Sequence, residues 1–195
     1  MIWVAVKEQA RSVARSVAIG LGRTGITPNA LTVIGLALNV GVAVALAGGY
    51  LAFGGALLLV AGLFDMLDGA LAKATNQMTK FGAFLDSTLD RYSELVVFFG
   101  LLIHLQATGA PVATALVFAA AAGSVLVSYA RARAEALGFD CEVGLLPRPE
   151  RILVLAAGLL LGDPALTWAL WLLAVLTNVT LVQRIVHVWR LQRGA

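Results

Sequence analysis

Cysteine is nearly missing from this sequence. Cys141 stands alone among 195 residues, which excludes an internal disulfide and a cysteine-built metal cage. Charge is scarce as well. Only 13% of residues are charged, where a soluble domain averages roughly 25%. Apolar side chains fill the difference: 60% of residues are hydrophobic and the mean hydropathy is +0.90. Too little polar surface remains to cover a water-soluble globule, so a bilayer is the expected solvent. Internal repeats and low-complexity tracts are lacking. No cleavable signal peptide is expected, because charged and apolar residues interleave at the N-terminus. These absences bound the chain to one all-α integral membrane domain, 1–195.

Residues 2–21 read as an amphipathic helix. Trp3, Val6, Ala10, Val13 and Val17 fall on one side; Lys7, Arg11 and Arg15 recur on another. In a membrane-embedded chain this pattern suits an interfacial helix lying against anionic headgroups. Beyond Thr27-Pro28-Asn29, a bundle of six transmembrane helices is expected over 31–189. A bilayer core of about 30 Å needs roughly 20 apolar residues per span, and the spans are placed at 31–47, 52–74, 82–105, 111–137, 149–162 and 165–189. The first and fifth are short.

Positive charge orients the bundle. The 14 Lys and Arg residues all avoid the connections at Gly48–Leu51, Gln106–Ala110 and Gly162–Pro164. The positive-inside rule therefore puts the other face, with both termini, in the cytoplasm. Trp168 and Trp171 near one end of the last span, and Trp189 near the other, suit interfacial anchors.

Acids concentrate where the second span ends and the third begins. Asp65 and Asp68 are three apart and share a helix face; Asp86 and Asp90 are four apart and do the same. The two spans follow each other through a short loop and are expected to be antiparallel neighbours, so the pairs can face each other at the cytoplasmic side. One intramembrane Asp costs about 2.5–3.5 kcal/mol on insertion scales. Four acids together call for a cation between them. Carboxylate oxygens suit hard divalent ions, two of which could be held a few ångströms apart, as in phosphoryl transfer. With no His or Cys nearby, Mg²⁺ or Mn²⁺ fits and zinc does not. Gly69 and Gly82 beside the acids admit either a ligand or a closely packed helix.

From Asp65 to Asp90 the residues run D-x-x-D-G-x-x-A-K-x8-G-x-x-x-D-x-x-x-D. This resembles the signature of the CDP-alcohol phosphatidyltransferases, whose usual form carries Arg at the position of Lys73. The six-span layout is similar to that family too. The resemblance implies a donor such as CDP-diacylglycerol, its diphosphate set against two metal ions on Asp65, Asp68, Asp86 and Asp90. It implies Asp90 as general base for the incoming alcohol, with CMP as leaving group. It further implies that the CDP part lies near Gly69, Ala72, Lys73 and Gly82, with Asn29 and Thr32 as neighbours, that the enzyme is a homodimer, and that no nucleic acid is a partner. Lys73 offers a point charge in place of the Arg fork.

A second polar cluster bears on the acceptor. Arg131 and Arg133 close the fourth span, and Arg148-Pro149-Glu150-Arg151 opens the fifth. Pro149 suits a first helical turn, and a helix N-terminus favours anions. The segment is similar to bacterial phosphatidylinositol-phosphate synthases. That similarity implies Arg131, Arg148 and Arg151 as ligands of an acceptor phosphate, with inositol phosphate as acceptor. The other reading of these arginines is membrane anchoring. Glycerol phosphate is the alternative acceptor, in phosphatidylglycerol-phosphate synthesis. A non-catalytic transporter or scaffold is the remote alternative; its acids would step across the bilayer, whereas these gather at one face. Glu94 is expected to support Arg91 or a helix contact, Asp163 to shape a turn, His104 to be packed or interfacial and His187 to face headgroups.

Overall fold

In a computed structural model the described residues are 20, 22 and 25–194. Six helices fill them: α1 (Pro28–Ala47), α2 (Leu51–Ala74), α3 (Lys80–Ala107), α4 (Pro111–Ala136), α5 (Arg148–Leu161) and α6 (Ala165–Gly194). The expected interfacial helix over 2–21 lies outside the described residues, apart from Gly20.

Local chemistry sets the helix starts. Thr27 caps α1: its hydroxyl accepts the Ala30 N–H at 3.2 Å, and Pro28, with no N–H to satisfy, takes the first turn. Thr79 caps α3 by accepting the Gly82 N–H at 2.9 Å. Prolines also open α4 and α5.

Four helices, α1, α2, α4 and α6, are long and apolar enough to cross a membrane. The other two, α3 and α5, are not of that kind. α5 has 14 residues, about 21 Å at the usual rise and short of a bilayer core. α3 has 28 residues, but Lys80, Asp86, Asp90, Arg91 and Glu94 crowd its first four turns.

The principal contacts close a ring in the order α1–α2–α5–α6–α4–α3. Its core joins Val42 and Leu46 of α1, Leu58 of α2, Val97 and Leu101 of α3, Val117 of α4, Leu159 of α5 and Leu170 and Leu173 of α6. One expectation is corrected here. The two acid-bearing helices α2 and α3 are not each other's principal neighbours; α1 packs on both. The approach of α1 to α3 depends on Gly100, where any Cβ would collide with the Ala43 backbone. At the opposite end of the ring, Asn178 of α6 donates to the Ala119 carbonyl of α4 at 3.2 Å. Trp168 is 71% exposed and Trp171 and Trp189 are also exposed, and the Arg193 guanidinium lies 4.0 Å over the Trp189 ring.

Candidate active site

Because α1 holds α2 and α3 apart, a cavity of about 440 Å³ opens among them. The start of α1 contributes Pro28, Asn29 and Thr32. The end of α2 contributes Asp68, Gly69, Ala72 and Lys73, and the start of α3 contributes Gly82, Ala83 and Asp86. All six residues expected to meet the CDP group line this one space. At Gly69 an added Cβ would meet nothing within 4 Å, so this glycine faces open cavity, not a packed helix. At Gly82 it would come 3.1 Å from Asn29 Oδ1, which places the Asn29 amide against the α3 backbone.

Asp68 and Asp86 line this cavity, and Asp65 lines a smaller space beside Arg148. Asp68 is buried, 5% exposed. The Thr32 hydroxyl donates to its Oδ2 at 2.8 Å and the Gly69 N–H to its Oδ1 at 2.6 Å. Burying a carboxylate is costly unless donors meet it, and here two do. Asp65 lies beside Gly35 of α1, where a Cβ would stand 3.1 Å from Asp65 Oδ1. Arg91 is turned along its own helix: Nη1 donates to the Ser87 carbonyl at 2.7 Å and stands 3.8 Å from Asp90 Oδ2.

The strongest contact in the cluster comes from α5. Arg148 Nη2 donates to Asp65 Oδ2 at 2.8 Å, and Nη1 pairs with Asp90 Oδ2 at 2.9 Å. One guanidinium thus bridges an acid of α2 and an acid of α3. Its Nε is buried with no hydrogen-bond partner, so part of the fork is unused. The donor set, four carboxylates with no nitrogen or sulfur ligand, fits a hard divalent cation in kind. The seat of Arg148 between Asp65 and Asp90 marks the spot as one that calls for positive charge. Among the described residues, no three acidic, His or Cys side chains are gathered as a ready cage; Arg148 draws Asp65 and Asp90 to itself, while Thr32 and Gly69 hold Asp68.

The expected anion site on Arg131, Arg148 and Arg151 needs revision. Arg151 is only 3% exposed. Its Nε and Nη2 meet Glu94 Oε1 and Oε2 at 2.9 and 3.2 Å. A guanidinium committed to a buried carboxylate does not stand free for a phosphate. Arg131 is surface-placed and pairs with Glu135 at 2.7 Å and Glu142 at 3.3 Å. Glu94, expected to support Arg91 or a helix contact, makes the second: it holds Arg151 of α5. His187 Nε2 lies 3.1 Å from the Asp140 carbonyl.

Arg184 of α6 escaped the sequence reading. It donates to the Val143 carbonyl at 2.9 Å and the Val127 carbonyl at 2.6 Å, while Thr180 accepts the Leu145 N–H at 3.3 Å. The Val143 and Leu145 bonds fasten the 137–147 loop, and hence the approach to Arg148, onto α6, and the Val127 bond ties α6 to α4. The only sequence signal was an arginine six residues inside the last basic turn.

Comparison with known proteins agrees with the geometry. Residues 25–180 match the family model described as CDP-alcohol phosphatidyltransferase. The phosphatidylinositol phosphate synthase of Mycobacterium bovis is 39% identical over 185 residues, 89% of this chain and 84% of that protein. The archaetidylinositol phosphate synthase of Methanothermobacter thermautotrophicus is 38% identical over 172 residues, 86% of each. The crystal structure of the Mycobacterium tuberculosis phosphatidylinositol phosphate synthase with CDP-DAG bound superimposes with a TM-score of 0.85 at 36% identity, covering 91% of this chain and 94% of that one. The same enzyme in complex with manganese and citrate gives 0.84 at 37% identity, covering 90% and 88%.

Proposed function

This chain belongs to the CDP-alcohol phosphatidyltransferase family, and on that premise we propose that it moves the phosphatidyl group of CDP-diacylglycerol onto inositol phosphate, releasing CMP. It is a membrane-embedded transferase of phospholipid biosynthesis. The observation that carries the acceptor assignment is the contact of Arg148 with Asp90 at 2.9 Å. A phosphate gripped by Arg148 holds its own ring within a few ångströms of the Asp90 carboxylate.

The donor belongs in the cavity. Its diphosphate meets the starts of α1 and α3, where helix N-termini favour anions, and Lys73 adds a positive charge. Asn29, Thr32, Gly69, Ala72 and Gly82 shape the space for the nucleotide. Asp65, Asp68, Asp86 and Asp90 would hold two divalent cations, Mg²⁺ or Mn²⁺, which supply Lewis-acid stabilisation of the charge on the diphosphate. Asp90 takes the proton of the acceptor hydroxyl. That oxygen attacks the phosphorus attached to the lipid, the phosphoanhydride bond breaks, and CMP carries off the electron pair. Arg148, with an unsatisfied Nε, turns from the carboxylates to the acceptor phosphate, assisted by Arg131. The manganese complex of the related enzyme and the inositol phosphate group named in the lipid products of the two relatives support this reading.

In the membrane the chain forms one domain and crosses six times. Both termini and the site lie on the cytoplasmic side, and two copies pair as a homodimer. The test of the chemistry is direct. Asp→Asn at positions 65, 68, 86 and 90 should each abolish most CMP release while membrane insertion persists. Full turnover in EDTA by such variants would refute the assignment.

A further inference from the structure

Two ion pairs stand one turn apart between α3 and α5. Asp90 pairs with Arg148, and Glu94, four residues on, pairs with Arg151, three residues on. The helices α3 and α5 are not principal neighbours; α5 rests on α2 and α6. The direct ties between α3 and α5 are therefore these side-chain pairs. The outer pair is well placed to orient α5. Its side chains are 4% and 10% exposed, the Nε–Nη2 edge of the guanidinium engages both carboxylate oxygens, and Arg151 Nη1 also reaches the Leu146 carbonyl at 3.4 Å, just ahead of α5. A planar fork on a carboxylate fixes direction as well as distance. An apolar pair of similar volume would supply stability as well or better, so orientation is what this pair adds.

We propose that Glu94 is a positioning residue: by gripping Arg151 it sets the first turn of α5 so that Arg148 points at Asp90 and at the acceptor phosphate. The inference rests on the reading that Arg148 serves the acceptor. A space of about 20 Å³ beneath the acids, bounded by Asn39, Asp65, Glu94 and both arginines among others, has room for about one water.

The test uses the full chain in detergent, with Mn²⁺, CDP-diacylglycerol and inositol phosphate. Three variants are compared with the parent: Arg151→Lys, which keeps charge but not the fork; the apolar double variant Glu94→Met with Arg151→Met, which keeps the volume; and Arg148→Ala as reference. Positioning predicts that Arg151→Lys and the double variant raise the acceptor KM by about tenfold, the worth of one charge-assisted hydrogen bond. The donor KM should stay within about twofold, a split that a general loss of stability would not produce. An unchanged acceptor KM in Arg151→Lys, with Arg148→Ala raising it, overturns the positioning role alone. An unchanged acceptor KM in Arg148→Ala overturns the functional reading and the inference with it.

Discussion

Arg148 Nη1 stands 2.9 Å from Asp90 Oδ2, which puts a cation of α5 on the proposed base of α3. Arg148 also holds Asp65, so it neutralises the acids in the absence of metal. Removing it leaves them repelling one another and uncontested. Arg148→Ala should therefore lower the melting temperature in EDTA and bind Mn²⁺ more tightly than the parent, by about tenfold for one lost charge-assisted contact. Mn²⁺ titration followed by electron paramagnetic resonance reads this. Weaker Mn²⁺ binding by the variant would show that Arg148 is not a competitor of the cation.

Two glycines separate donor binding from packing. Gly69 faces open cavity, whereas a Cβ at Gly100 would collide with Ala43. Gly69→Ala should fold like the parent and raise the CDP-diacylglycerol KM about tenfold, from a methyl group set in the ligand's path. Gly100→Ala should instead lower the melting temperature, with a loss of about 1–3 kcal/mol from overpacking. Equal donor KM values for Gly69→Ala and the parent would move the nucleotide out of this cavity.

The loop anchor on α6 makes a separate claim. Arg184, 9% exposed, spends its guanidinium on the carbonyls of Val127 and Val143. Arg184→Met leaves both carbonyls without that donor. It should cost about 1.5–3 kcal/mol for each such bond lost and free the 137–147 loop, seen as faster proteolysis there. An unaltered cleavage pattern and melting temperature would contradict the anchor.

Topology is tested by labelling. In a Cys141→Ser background, cysteines placed at Gly49 and Thr108 should react from outside the cell, and those at Lys80 and Glu142 from inside. Reaction of all four from one side would break the six-crossing arrangement.

Much of this molecule was legible in its residues. Helix bounds fell within a few positions, because caps such as Thr27 and Thr79 and the prolines at 28, 111 and 149 act locally. The carboxylate helices were legible through their spacing, and the donor residues do line one cavity. Long-range relations were not. Short loops suggest adjacency, yet α1 separates α2 from α3 because Gly35 and Gly100 let it come close to both. Arg151 read as an anion ligand because its helix start favours anions; its partner Glu94 is 57 residues away, and no local pattern carries that contact. Arg148 was correctly drawn towards the site, but its seat on Asp65 and Asp90 needed the position of α5 on α2.

The central claim is that this site joins a phosphatidyl donor to a phosphorylated inositol. Its most direct measurement is CMP release by the purified chain from CDP-diacylglycerol with Mn²⁺, offering inositol phosphate, glycerol phosphate and inositol in turn. The account predicts release with inositol phosphate, at least about tenfold less with inositol, which lacks the anion for Arg148, and none in EDTA. Equal release with inositol, or a preference for glycerol phosphate, would contradict it.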